Sequence, residues 1–212
     1  MNTTIYIVRH GESEANAKGI LQGHKDFPLT TKGEEQAKIL SQELKNIHFH
    51  AVFSSDLLRA KRTAEIIALE RKLAVVTTQA LRERYFGKLE GMYKKDRTPE
   101  IIKMFDDWNA LSNEESLKYR PYDGETGEEM VGRLSTFLRE LNIGYPGKTI
   151  LIVSHGDVMR NFLVHLGWAH NYELRGKTIS NTAYIKIETD GVEFFVKETF
   201  GITKNKGREF KL

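Results

Sequence analysis

Short apolar runs alternate along the chain with longer stretches in which apolar residues return every three or four positions. Ile5 to Val8 is an unbroken β-branched and aromatic run, Ala51 to Phe53 is a second, short apolar run and Leu73 to Thr77 a third candidate strand. "TILIVS", Thr149 to Ser154, is the strongest. Such runs read as buried strands. Between them the period becomes helical. Thr31 and Glu34 form a capping-box pattern that opens a helix with Ala37, Leu40, Leu44 and Ile47 on one face. In "SSDLLRAKRTAEIIALER", Ser55 or Asp56 can cap a helix running to about Arg71. Thr126 and Glu129 repeat the capping box ahead of Met130, Leu134, Phe137 and Leu141.

After the fourth strand, a helix is expected from Asp157 to about Leu166, ended by Gly167. Ala183 to Glu188 and Val192 to Thr199, joined across "TDG", read as a closing hairpin. From Glu90 to Gly124 the pattern loosens, with one helix started by Thr98 and Pro99. Strands alternating with helices predict a parallel sheet with crossover helices. The loose stretch, about residues 90–123, reads as an insertion over a functional site within a single domain spanning 1–212.

Composition narrows the function. A chain of 212 residues, 40% hydrophobic and 29% charged, can bury a core of its own. Its net charge of +3 comes from 32 basic and 29 acidic residues that are interspersed, which argues against nucleic acid as the main partner and fits a local arginine cluster around an anionic small molecule. With no cysteine, disulfides, thiolate metal sites and thiol nucleophiles are excluded. No run is long enough to span a bilayer and no leader pattern precedes the first strand, so a cytoplasmic location without membrane attachment is expected.

Two dipeptides stand out among the seven histidines. His10-Gly11 and His155-Gly156 each follow an apolar strand, at the carboxyl end where open α/β sheets bind ligands. Each precedes a glycine that permits close backbone approach. His24, His48, His50, His165 and His170 have no persuasive metal spacing and read as packing or surface residues.

Arg9-His10-Gly11-Glu12-Ser13, with Asn16 behind it, resembles the signature of the histidine phosphatase superfamily, the phosphoglycerate mutase-like group. "QGHKDFPLTTKGEEQA", "SSDLLRAKRTAE", "LRERYFGKLEG", "DGETGEEMVGR" and "VSHGDVMR" resemble its further segments in order, from Ile5 to about Glu188. Asp123 departs from it, standing where a glycine is common.

The resemblance implies a three-layer α/β/α sandwich with a mostly parallel central sheet. It implies phosphoryl transfer with His10 as nucleophile, Arg9 and Arg59 as phosphate forks, His155 as a further donor and Glu83 as the acid. Asn16, Gln22, Gly23, Arg84 and Gly156 are the expected substrate contacts. Neither metal nor organic cofactor is expected. Taken alone, Glu83 reads as a surface partner of Arg82 or Arg84, Arg59 as a partner of Asp56 or Glu65, and Ser13 and Asn16 as turn residues.

A phosphatase of small phosphate monoesters is the preferred function, as a monomer or homodimer. A phosphoglycerate mutase is the alternative. The insertion offers Lys94, Lys95, Arg97, Lys118 and Arg120 but lacks the paired arginines and proline run of the mutase subgroup. A non-catalytic phospho-ligand module is the third reading, and the presence of both His10 and Glu83 speaks against it.

Overall fold

In the computed structural model, which describes residues 2–205, two apolar strands lie side by side at the centre of a six-stranded sheet. They are β1 (Thr3–Arg9) and β4 (Thr149–Ser154), parallel and in register from Thr4 opposite Thr149 to Arg9 opposite Ser154. Beyond β4 follow β2 (Ala51–Ser55) and β3 (Val75–Thr78), both parallel to it. On the other flank β5 (Ile179–Thr189) runs antiparallel to β1, and β6 (Phe194–Ile202) closes the edge antiparallel to β5. The sheet is therefore mixed, with its parallel part made by the first four strands.

Helices cover both faces. Tyr6, Val8, Leu151 and Val153 pack under α2 (Thr31–Glu43) and α3 (Leu58–Leu69), through Leu40, Ala60, Ala64 and Ile67. Ile5, Ile7, Ile150 and Ile152 point the other way, against α6 (Gly127–Gly144) and α7 (Gly156–His165), through Met130, Leu134, Leu138 and Phe162. Two covered faces explain why these strands read as unbroken apolar runs rather than alternating ones.

The helix starts differ in detail from the sequence reading. α2 is capped by Thr30, whose Oγ1 accepts from Gly33 N, and not by Thr31. α3 receives no cap from Ser55 or Asp56: Leu58 N donates to Asp26 Oδ1 at 2.8 Å, a residue distant in sequence. Asp56 is held away by a two-point pair with Arg82, at 2.8 and 2.6 Å. The capping box at Thr126 and Glu129 is present as expected. The hairpin strands are longer than predicted, because pairing with β1 and with each other extends both.

The loose stretch contains two helices. α4 (Pro99–Ala110) starts at Thr98 as expected. A second, α5 (Asn113–Lys118), was not expected, although Ser112 and Glu115 form its capping box. Between β1 and α2 lies one short helix, α1 (Glu14–Lys18), so the labels run α1 to α7 in chain order. Phe86, Leu89, Ile101 and Trp108 form a small apolar cluster of their own. Trp108 lies between the Tyr119 ring, stacked at 5.4 Å, and the Arg84 guanidinium at 4.6 Å. Among the described residues no helix is long and apolar enough to cross a membrane.

Candidate active site

The register of β1 and β4 brings the two histidine motifs together: just past the strand ends, the His10 and His155 rings lie 5.1 Å apart, edge to face. His10 is fixed by its backbone. Its N–H donates to Ser154 O, and its carbonyl accepts from Asn181 Nδ2 at 3.0 Å. Its ring Nδ1 lies 2.6 Å from Gly11 O. A carbonyl can only accept, so Nδ1 carries the proton and Nε2 the lone pair. Burial, then the charges of Arg59 and Arg9, hold the His10 imidazole well below its ordinary pKa, so it stays neutral. His155 is held low for the same first reason.

Gly11 is required where the loop that carries His10 meets α2. A Cβ there would overlap the Gly33 carbonyl, and a Cβ on Gly33 would overlap that of Glu12. Gly11 N also donates to Thr63 Oγ1 at 3.0 Å, and Thr63 donates to Arg59 O one helical turn earlier. The helix that carries Arg59 thus also braces the loop that carries His10.

A cavity of about 270 Å³ opens here, lined among others by Arg9, His10, Asn16, Gln22, Gly23, Arg59, Glu83 and Gly156. Arg59 is fully buried, with Asp26 as a loose ion-pair partner at 4.0 Å. Two of its nitrogens donate to Gly23 O and Lys25 O, which aims the guanidinium. Burial lowers its pKa to about 10, so it remains a cation at neutral pH. Arg9 donates to Ile179 O, and Gly156 leaves it room, since a Cβ there would stand 3.2 Å from Arg9 Nε.

Arg9 Nε, Arg59 Nε and both nitrogens of His155 are buried without a hydrogen-bond partner. Arg9 and Arg59 line the cavity, whereas His155, expected as a third donor, is fully buried behind it and is not one of its lining residues. Buried guanidinium donors left unpaired at one cavity are a strong sign of an oxyanion ligand. Phosphate chemistry fits them.

Glu83 lies in the same cavity wall, its carboxylate accepting from Arg84 N (2.9 Å), Asp157 N (3.2 Å) and Val158 N (3.3 Å). Burial, then the nearby Asp157 charge, raise its pKa against those donors, so it keeps its proton to a higher pH than an exposed glutamate does. Arg133 and His24 donate to its backbone carbonyl and hold the segment. His24 is therefore a packing residue of the segment that carries Glu83. Neither surface pairing considered for Glu83 occurs, because Arg82 binds Asp56 and Arg84 binds Asp157.

One expected substrate contact is corrected. Arg84 does not line the cavity: its fully buried side chain donates to Asp157 Oδ2 (2.6 Å), Glu125 O (3.1 Å) and Asn161 Oδ1 (3.0 Å). Its donors are used within the protein. Ser13 and Asn16 do form the capping box of α1, and Asn16 also faces the cavity.

Sequence reading missed Thr63, Asp157, Arg160 and Asn181. Thr63 could have been found at the i+4 position from Arg59, and Asp157 and Arg160 lie inside the quoted "VSHGDVMR". Asn181 has no local signal, since only the pairing of β5 with β1 brings it to His10.

Residues 5–200 match the family described as histidine phosphatase superfamily (branch 1). Among relatives, the chain is 33% identical to the uncharacterized phosphatase PhoE of Bacillus subtilis over 92% of its length and 93% of the relative's. It is 35% identical to the probable phosphoglycerate mutase GpmB of Escherichia coli over 85% of its length and 84% of the relative's. Among solved structures, YhfR of Bacillus stearothermophilus superposes with a TM-score of 0.76 at 28% identity, covering 92% of this chain and 95% of that one.

Proposed function

The chain belongs to the histidine phosphatase superfamily, and on that premise we propose that it hydrolyses small-molecule phosphate monoesters through a phosphohistidine at His10. The observation that carries this reading is His10, its Nδ1 engaged by Gly11 O, in a cavity lined by Arg9 and Arg59, whose buried Nε groups have no partner.

Nε2 of His10 attacks phosphorus while the bond to the ester oxygen breaks. Arg9, Arg59 and His155 hold the equatorial oxygens, where charge collects. Glu83 gives its proton to the leaving alkoxide. The resulting carboxylate then takes a proton from water, whose oxygen attacks the phosphohistidine, breaks the N–P bond and releases inorganic phosphate. Gln22, Gly23, Asn16 and Gly156 complete the wall around the phosphoryl group. The chain acts as one domain, with residues 90–123 covering the site, in the cytoplasm, on free phosphorylated metabolites rather than nucleic acid or membranes.

The test is twofold. Brief incubation with labelled substrate and an alkaline quench leaves an acid-labile phosphoryl group on His10, and His10→Ala abolishes both labelling and turnover. The protein is then supplied with 3-phosphoglycerate plus catalytic 2,3-bisphosphoglycerate, and separately with a panel of sugar phosphates. Free phosphate is the expected main product. Rapid formation of 2-phosphoglycerate with little phosphate release would overturn the phosphatase reading in favour of the mutase.

A further inference from the structure

A second, larger chamber of about 650 Å³ adjoins the catalytic cavity of about 270 Å³. The two share a wall that includes Asn16, Ile20, Leu21, Phe86, Arg160 and Asp157, the last already paired with Arg84, so a molecule can occupy both. Phosphate-binding groups Arg9, His10 and Arg59 line only the inner cavity, whereas Lys94, Arg97, Ile102 and Phe105 line only the outer chamber.

The charges of the outer chamber are unevenly satisfied. Arg160 is engaged by Asp157 at 3.7 Å, Asn171 at 2.7 Å and Asn109 at 3.3 Å. Arg97 differs. Among the described residues it forms no ion pair, its Nε is buried without a partner, and its guanidinium lies 4.2 Å above the Phe105 ring. Stacking fixes the plane of the fork while leaving its edge free for an anion. Partial burial also lowers the Arg97 pKa, as expected of a cation with no carboxylate beside it. Lys94 lines the same chamber, and the one acid there not already engaged by an arginine is Asp106.

We propose that the outer chamber receives the alcohol end of the substrate and selects monoesters with an extended apolar body that ends in a second anionic group bound by Arg97. The proposal rests on the phosphatase reading above. Ile20, Leu21, Phe86, Ile102 and Phe105 provide the apolar length between the two anion sites.

The test uses three 4-alkylphenyl phosphates with the same chain, ending in a carboxylate, its methyl ester or a phosphate, with release of the phenol as readout. Charge-assisted contacts to a partly desolvated guanidinium are worth about tenfold in affinity. The wild-type protein is expected to favour the anionic substrates over the methyl ester by that factor in kcat/KM, through KM. Arg97→Gln brings the ratio near one, and Arg97→Lys keeps part of it. The better of the two anions identifies the natural terminal group. Equal wild-type kcat/KM for all three, or a preference that survives in Arg97→Gln, overturns the proposal. Failure to release phenol from any of the three instead takes down the phosphatase reading itself, and this proposal with it.

Discussion

Replacing Arg84 with methionine separates a buried scaffold role from the substrate contact that its sequence position suggests. Methionine keeps most of the side-chain length but removes every donor. Asp157, the Glu125 carbonyl and the Asn161 amide oxygen lose bonds of 2.6, 3.1 and 3.0 Å. Removing one partner of a buried pair costs about 3–5 kcal/mol, because the remaining charge stays buried. Asp157 is slightly exposed and keeps Arg160 at 3.7 Å, which places the loss near the lower end, about 3 kcal/mol. With a urea slope of about 2 kcal/mol/M, the unfolding midpoint falls by about 1.5 M.

A second signature lies in the pH profile. The Asp157 charge already helps to raise the Glu83 pKa, and without the Arg84 cation that charge is less balanced. The acid form of Glu83 persists to higher pH, so the alkaline limb of kcat/KM moves upward. KM stays within about twofold, because Arg84 does not reach the cavity. Urea unfolding followed by tryptophan fluorescence and a pH series of initial rates supply both readouts. A midpoint shift below about 0.5 M together with a tenfold rise in KM would refute the argument and restore Arg84 as a substrate contact.

Glu83→Gln removes the proton but keeps the shape, so turnover of an alkyl phosphate falls by about 10²–10⁴-fold, while the phosphorylation step of an activated aryl phosphate loses much less; pre-steady-state bursts with both substrates check this. Gly11→Ala forces the nucleophile loop against the Gly33 backbone, costing about 3 kcal/mol and disturbing the carbonyl that orients His10, as denaturation and phosphoenzyme labelling will report. His155 is depressed in the folded state, so the unfolded chain binds the extra proton below about pH 6.5 and stability is lost as pH falls from there. His155→Gln removes this contribution, so the slope of unfolding free energy below about pH 6.5 becomes shallower, by at most about 1.4 kcal/mol per pH unit, measured by urea unfolding across that range.

Much of this protein is written locally. The unbroken run Ile5–Val8 and the "TILIVS" run encode strands buried on both faces, because two covering layers remove the need for polar alternation. The capping box at Thr126 and Glu129 sets the start of α6, since cap and helix lie within four residues. His10 and His155 stood out for the same reason, each in a short motif at a strand end, whereas Arg59 was singled out only by the resemblance of its segment. Local patterning did not settle where the long polar side chains go. Asp26 caps α3 and Asp56 does not, because folding brings Asp26 to Leu58 N while Arg82 takes Asp56. Arg84 stands one residue from the acid, yet it turns inward to Asp157, a partner 73 residues away. Asn181 reaches His10 only through the pairing of β5 with β1. Sequence pattern determined the elements and the two strand-end histidines, since these depend on neighbours along the chain. Tertiary structure decided which charges meet and which stay free for a ligand, because a buried polar group takes the partner that folding places beside it.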